Sequence, residues 1–462
     1  MSFIGMSISR CNYGEDTIAA ISTAPGKSAI ALVRISGNRA IIIANDIFKG
    51  AHALTAAKSH TVQYGHVVDN AGKIIDEVLL SVYLAPRTYT REDVVEIGCH
   101  GGSIAARTVL QAVVDHGARM AEPGEFTQRA FLNGRIDLTQ AEAITEIIGA
   151  RTSRALKQMQ HNLCGSMKNW IIEVRAALSR IVMYIEAEVD FPDEEIEPLS
   201  NNEIMAAIEL AIFHVDKAIT GFEKGRMLRE GMRLTIAGRP NVGKSSLMNA
   251  LLRSDRAIVT DIPGTTRDTI EENANIKGIP VVLTDTAGLR ETTDVIESLG
   301  IERTRDAILH SDLVLLVLDS SVPLQHEDEV LLQMTEQTNR IVVFSKIDKK
   351  NDAFAVPSLT PDVEVSVLTG ENIDKLETVI ETFAGGEDDE DNIFAGSLRQ
   401  QELLLAVSEA LIEIRDSFVS GLPVDIISVD LQRTLYLLGE ITGENGSDDV
   451  INNIFSEFCL GK

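Results

Sequence analysis

At 462 residues, 44% of them hydrophobic and 24% charged, the chain is too long for one ordinary core and apolar enough to fill about two to four domains. A formal net charge of −27 excludes a surface that binds nucleic acid broadly by counterion release, so an RNA partner must meet a local basic patch. There is no run of about 18 or more uncharged apolar residues, and the opening MSFIGMSISRCNYGEDT lacks a basic stretch followed by an apolar core. The expectation is a soluble, unexported, cytoplasmic protein with no membrane partner. Cys11, Cys99, Cys164 and Cys459 lie far apart with no CxxC pair, which reads as reduced thiols rather than a metal or redox site.

Residues 1 to about 130 mix strands and helices. SAIALVRIS, HTVQYGHVV and KIIDEVLLSVYLAP read as strands, and EDVVEIGCHGG leads into a helix from Ser103. His100, beside Cys99 in GCHGG, has no partners at metal spacing and is assigned a structural role. From Thr139 the spacing turns helical as far as about Asp190, with TQAE as an expected capping box, Thr139 capping and Glu142 three residues on. At Arg233 strand-like segments return as RLTIAG, VVLTDT, LVLLVLD, RIVVFSKID and VEVSV, separated by helical stretches, the alternation of a doubly wound sheet. The acidic EDDED, Glu387 to Asp391, reads as a solvated linker, and helical spacing resumes from about Leu398. In the terminal helix VINNIFSEF places Val450, Ile451, Ile454, Phe455 and Phe458 on one apolar face, predicting a firmly packed end.

The expected fold class is therefore α/β plus all-α: an α/β domain over 1–130, a helical domain split into 131–228 and 385–462, and an inserted doubly wound P-loop domain over 229–384. Two basic stretches, RTSRALKQMQH from Arg151 and KGRMLREGMR from Lys224, are the local candidates for RNA contact, with a solvated helix face the plainer reading.

GRPNVGKSS follows the strand RLTIA and precedes the helical SLMNALL, so spacing and context both match a phosphate-binding loop. Backbone amides from Gly238 to Gly243, through Asn241 and Val242, would cradle phosphates. Lys244 would reach the β and γ groups and the Ser245 hydroxyl, followed by Ser246, would hold Mg²⁺. DTAG, Asp285, Thr286, Ala287 and Gly288, follows a later strand, where Asp285 can bind Mg²⁺ through water and the Gly288 amide can sense the γ-phosphate. In TDIPGTTRD, from Thr260 through Asp261, Ile262, Pro263, Gly264 and Thr265, Thr266 is placed to complete the Mg²⁺ shell.

The base-reading element should read NKxD and here reads Ser345, Lys346, Ile347, Asp348. The Asp348 carboxylate can accept from guanine N1–H and the exocyclic amine, whereas adenine presents an acceptor at N1, so the substrate is GTP. Serine cannot reproduce the paired contacts of an asparagine amide to loop and base, and weaker nucleotide binding is expected. Ser366, Val367 and Leu368 open SVLTG, the segment expected to read guanine O6. Leu289 follows DTAG where a Ras-type enzyme has a water-orienting glutamine, so another catalytic device is needed.

Together with GRPNVGKSS, TDIPGTTRD and DTAGLRE, the segments DTIAA, LVRISG, EDVVEI, EPGEFTQRAFLNGRIDLTQAEAI, FPDEEI, EITGE and terminal CLGK carry a likeness along essentially the whole chain. The sequence resembles the MnmE (TrmE) family of tRNA-modification GTPases. That resemblance implies G domains that dimerise face to face around K⁺, held by the Asn241 side chain, the carbonyls of Thr260 and Ile262, and Thr265, with Glu297 positioning water and Lys244 and Glu297 as catalytic groups. A fixed monovalent cation beside the phosphates would neutralise developing charge without an arginine finger.

The resemblance also implies a constitutive homodimer and a folate site with Arg34, Glu96, Arg135 and Lys462 at matching positions. The ligand would be 5,10-methylenetetrahydrofolate or 5-formyltetrahydrofolate. Cations suit a folate's glutamate tail and a carboxylate suits the pterin's donor edge, while a structural ion pair is the plainer reading of Arg34 and Glu96. CLGK would reach that site, where Cys459 is either a catalytic nucleophile or a packed thiol. The implied function is modification of C5 of the wobble uridine of certain tRNAs to a carboxymethylaminomethyl or aminomethyl group, with an FAD-dependent MnmG-type partner in a heterotetramer. A GTP-dependent assembly or signalling switch without modification chemistry is the alternative.

Overall fold

The structure is a computed structural model that describes residues 16–150, 152–190, 199–253, 271–285, 304–351, 354, 360–385 and 396–462. By contacts, the described residues form two units, one running to Thr145 and joined by Gly439–Lys462, the other Glu146–Leu438.

The first unit is built on a seven-stranded sheet of β1 (Ile18–Ile21), β2 (Ile30–Ser36), β3 (Phe48–Gly50), β4 (Thr61–Val68), β5 (Ile74–Tyr83), β6 (Val94–His100) and β7 (Arg119–Met120), in the order β3-β4-β5-β6-β2-β1-β7. Strand alternation sends Ala31, Val33 and Ile35 of β2 to one face. There they pack with Ile43 and Ile47 of α1 (Ala40–Ile47) and with Val109 and Val113 of α2 (Ser103–Asp115). The antiparallel β2–β6 register sets Arg34 directly opposite Glu96.

Helix α3 (Glu125–Leu132) follows, then α4 (Leu138–Gly149). The cap of α4 lies two residues before the expected Thr139. The Asp137 carboxylate accepts from the Gln140 N–H at 2.9 Å while the Gln140 side chain accepts from the Asp137 N–H at 3.1 Å. Thr139 itself donates to Asp137 at 2.6 Å. The carboxylate wins because the helix already begins at Leu138, leaving Asp137 the position from which a side chain can reach the third helical amide.

The other unit combines helices with a second sheet. Helical spacing after α4 is broken into α5 (Ser153–Leu163), capped by Thr152, and α6 (Ser166–Asp190), with Gly165 at φ +90° between them. Ser200 and Glu203 form a reciprocal capping box on α7 (Asn201–Glu230). Further on, strands β8 (Met232–Ala237), β9 (Glu271–Ile276), β10 (Ile279–Asp285), β11 (Leu313–Asp319), β12 (Arg340–Ser345) and β13 (Val363–Glu364) form a sheet in the order β13-β12-β11-β8-β10-β9. All neighbours are parallel except β9 and β10.

Every residue of β11 is buried. Leu313, Leu315 and Val317 pack with α8 (Lys244–Arg253) and α10 (Ile373–Phe383), while Val314, Leu316 and Leu318 pack on the other face with α9 (His326–Met334). A strand covered on both faces reads as an unbroken apolar run, which is why LVLLVLD shows no alternation. The polar EENANI was not among the expected strands. Its β9 is an edge strand held by antiparallel pairing to β10.

Helix α11 (Leu398–Val419) lays Leu404, Val407 and Leu411 against α7, where Ser408 donates to Asp216 at 2.9 Å. Then come α12 (Val424–Thr442) and α13 (Asp448–Ser456). In α13 Ile451 and Phe455, with the following Phe458, join Leu138 and Ala141 of α4 in one apolar cluster. Val450, expected on that face, is 39% exposed. The face is narrower than expected because the neighbouring elements reach only the stripe that carries Ile451 and Phe455. EDDED lies outside the described residues.

Candidate functional site: a phosphate-binding loop and a tail-closed cationic cluster

The loop between β8 and α8 has backbone that only particular residues tolerate. Asn241 lies at φ +64° and Gly243 at φ +103°. A Cβ on Gly238 would stand 2.6 Å from the Val317 carbonyl oxygen and 3.0 Å from Val242, so glycine is required there for close approach of the loop to β11. Lys244, 5% exposed at the start of α8, donates its ammonium to the carbonyls of Gly238 at 2.9 Å and Arg239 at 2.7 Å. Ser245 and Ser246 are exposed in the first turn of α8. A helix N-terminus preceded by this turn presents amides and a positive dipole end to an anion, and a serine hydroxyl there is the oxygen donor a Mg²⁺–phosphate group needs.

The residues expected to read the base lie at the ends of β12 and β13, and two of them, Ser345 and Lys346, bond to the loop. The Ser345 hydroxyl donates to the Val242 carbonyl at 2.8 Å, with the Leu318 carbonyl at 3.1 Å. Lys346, at φ +58°, bridges the Asn241 carbonyl and Asp319, each at 2.7 Å. Burial raises the Asp319 carboxyl, but Lys346 and the hydroxyl and amide of Ser321 outweigh it and hold the group below the usual carboxylate value. Asp348 is exposed and accepts from the fully buried Ser366 hydroxyl at 2.7 Å. Ile347 donates its N–H to Val365 at 3.4 Å, next to Val367 and the 81% exposed Leu368.

Asp285 ends β10, paired in register with Ile236 of β8. Thr260, Asp261, Ile262, Pro263, Gly264, Thr265, Thr266, Thr286, Ala287, Gly288 and Glu297 lie outside the described residues. Among the described residues no group of three or more His, Cys, Asp or Glu is arranged to hold a metal.

In the first unit, Arg34, Glu96, Arg135 and Lys462 are brought together. Arg34 pairs with Glu96 at 2.8 Å, and the Arg34 guanidinium carbon is 5.2 Å from the Tyr89 ring centre and 5.6 Å from that of Phe126. Arg135, exposed, lies 4.7 Å from the same Tyr89 ring and donates to the Tyr89 carbonyl at 2.8 Å. The chain's last residues return here. The Ser22 hydroxyl donates to Gly461 at 2.9 Å, and the Phe126 N–H, in the first turn of α3, donates to Lys462 at 3.2 Å. Burial and the neighbouring Arg34 charge lower the Lys462 pKa, with Cys459 opposing them. Cys459 itself is exposed, whereas Cys99 is buried and its thiol is pushed up to about 11, chiefly by burial. His100 pairs with Asp76 at 2.7 Å.

Tyr89, Phe126 and the charges behind them were not singled out in the sequence. Arg129, 2% exposed, contacts Asp16 at 2.7 Å, Glu125 at 3.0 Å and Glu92 at 3.2 Å, and Arg119 joins Asp16 and Glu125. Tyr89 is tied to α3 through Thr127 at 2.9 Å. The one local signal was the i,i+4 spacing of Glu125 and Arg129, which predicts a pair but not its burial. Of the two basic stretches, Arg154 is engaged by Glu381 and the Gly385 carbonyl, Arg226 by Asp312, and Arg229 by Glu146 and the Gly396 carbonyl. These arginines hold structure together instead of forming a solvated face, because each reaches a carboxylate distant in sequence, and two of them a backbone carbonyl as well.

Residues 17–135 match the family described as GTP-binding protein TrmE N-terminus, and residues 138–459 match the MnmE helical domain. A tRNA modification GTPase MnmE of Streptococcus thermophilus is 46% identical over 97% of this chain and 98% of its own length. The protein of the same description from Lacticaseibacillus paracasei is 44% identical over 97% and 98%. Among solved structures, the G domain of the T. maritima FeoB iron transporter is 28% identical, covering 33% of this chain and 98% of its own, with a TM-score of 0.24. With two family models matched and relatives aligned nearly end to end, the chain belongs to the MnmE family of tRNA modification GTPases.

Proposed function

We propose that this chain is a K⁺-dependent GTP hydrolase that works as a homodimer with an FAD-dependent MnmG-type partner to modify C5 of the wobble uridine of certain tRNAs. A folate, 5,10-methylenetetrahydrofolate or 5-formyltetrahydrofolate, would supply the carbon. In this reading residues 1–130 bind folate and dimerise, 131–228 and 385–462 form the helical domain, and 229–384 form the G domain. The observation that carries it is the convergence of Arg34 and Arg135 on Tyr89, with Glu96 and the terminal Lys462 beside Arg34.

The residues fit a folate by donor chemistry. Two guanidiniums and an ammonium suit the carboxylates of a glutamate tail. Glu96, held by Arg34, keeps acceptor capacity for a pterin's donor edge. Cys459, exposed beside Lys462, has the access a nucleophile requires. In the G domain, Lys244 lies among the loop carbonyls from which it would turn to the β and γ phosphates. Ser245 with Thr266 would hold Mg²⁺. Asn241 on its left-handed turn, with Thr260, Ile262 and Thr265, would hold K⁺, which supplies positive charge at the phosphates, and Glu297 would position water.

The closed Arg34–Glu96 pair favours the other reading, a GTP-dependent assembly switch whose N-terminal unit does no chemistry. Calorimetry with 5-formyltetrahydrofolate separates them. Binding that R135A weakens, together with GTP turnover faster in K⁺ than in Na⁺ at equal ionic strength, supports modification. Binding to neither folate nor an FAD-dependent partner would leave only the switch.

A further inference from the structure

Ser345 occupies the position where the base-reading motif usually carries asparagine. It is 4% exposed, and its hydroxyl points into the protein, 2.8 Å from the Val242 carbonyl and 3.1 Å from the Leu318 carbonyl. A hydroxyl has one proton, whereas an asparagine amide has two and can serve a carbonyl and a base nitrogen at once. The proton of Ser345 is therefore committed to tying the β12 end to the phosphate-binding loop. That tether is reinforced by Lys346, whose ammonium reaches the Asn241 carbonyl at 2.7 Å. The carboxylate of Asp348 is oriented separately, by the fully buried Ser366 hydroxyl at 2.7 Å. A carboxylate accepts several hydrogen bonds, so one from Ser366 leaves capacity for both donors of guanine's Watson–Crick edge.

We propose that Ser345 makes this GTPase blind to the N7 edge of the purine, so that base selection rests on the Watson–Crick edge read by Asp348. The residue keeps the loop-tethering half of the asparagine's role and gives up the base-reading half. A nucleotide without the N7 acceptor should then bind as well as GTP, and one without the exocyclic amine should bind less well because it loses a donor to Asp348.

The test is competition binding of GTP, 7-deaza-GTP and ITP to the full chain in Mg²⁺. Wild type should bind GTP and 7-deaza-GTP within about twofold of each other, and ITP about tenfold or more weakly, the usual size of one lost hydrogen bond to a charged group. S345N should acquire a preference of about fivefold for GTP over 7-deaza-GTP, the size of one neutral hydrogen bond. S345A, which removes the tether alone, should leave the GTP to 7-deaza-GTP ratio at its wild-type value. A tenfold loss of 7-deaza-GTP binding by wild type overturns the proposal without any variant, because another donor would then read N7. A folded S345N with an unchanged ratio overturns it as well, since position 345 would not face that edge.

Discussion

Replacing Gly461 by alanine should release the chain's last residues from the first unit without unfolding it. Gly461 lies at φ +88°, and a Cβ there would stand 2.4 Å from the Ile21 carbonyl oxygen and 2.9 Å from the Ser22 Cα. Both obstacles are backbone, at the last residue of β1 and the one after it, and backbone gives way less readily than a side chain. The left-handed conformation alone costs alanine about 1–2 kcal/mol, and the overlap adds to it. Against this, the contacts from Ser22 to Gly461 and from Phe126 to Lys462 contribute about 2 kcal/mol together, at about 1 kcal/mol per net hydrogen bond. With overlap bringing the penalty to about 3 kcal/mol or more, the docked fraction falls to about a sixth and apparent folate affinity drops about fivefold or more. The melting transition should move little, because Phe455 and Phe458 remain packed on α4. Hydrogen exchange at 458–462 and calorimetry with 5-formyltetrahydrofolate read the outcome. Wild-type protection of the tail in G461A would refute the steric reasoning, and lost protection with unchanged folate binding would refute the coupling of tail to site.

Arg129→Met should destabilise the first unit by about 3–5 kcal/mol, the cost of stranding a buried partner, since Glu125 is 1% exposed; urea denaturation followed by near-ultraviolet circular dichroism measures it. The same network sets an acid limit. Burial raises the Glu125 carboxyl, but Arg119, the Glu122 N–H and Arg129 together hold it below its ordinary value of 4.5. A depressed carboxyl pKa contributes stability that is complete above the unfolded value and lost as pH falls through the folded one. Unfolding free energy should therefore fall with pH below about 4.5, with a shallower slope in E125Q; equal slopes would count against the assignment. In the G domain, Gly238→Ala should weaken GTP binding by at least about tenfold through the 2.6 Å approach to Val317, seen by fluorescent-nucleotide titration. Lys244→Ala should lower GTP turnover by about a hundredfold or more, the scale of losing one preorganised phosphate-stabilising donor, measured as phosphate release.

Local rules carried much of this protein. The phosphate-binding loop was legible because its glycines, lysine and serine act through backbone placed between one strand and one helix, and β2, β4, β5 and β11 announced themselves by β-branched runs and turns. The sequence by itself determined these, together with the family, since those interactions span few residues. Only the tertiary structure decided what depended on distant chain. The cap of α4 fell to Asp137 because of where the helix starts, and Val450 faced outward because of what lies beside α13. The charged helix α3 became interior because strands, the Glu92 loop and the chain's last residues enclose it, giving Arg129 carboxylate partners more than 100 and nearly 40 residues away. Spacing can reveal a charge pair on one helix, but burial is a property of everything packed around it, and no local pattern encodes that.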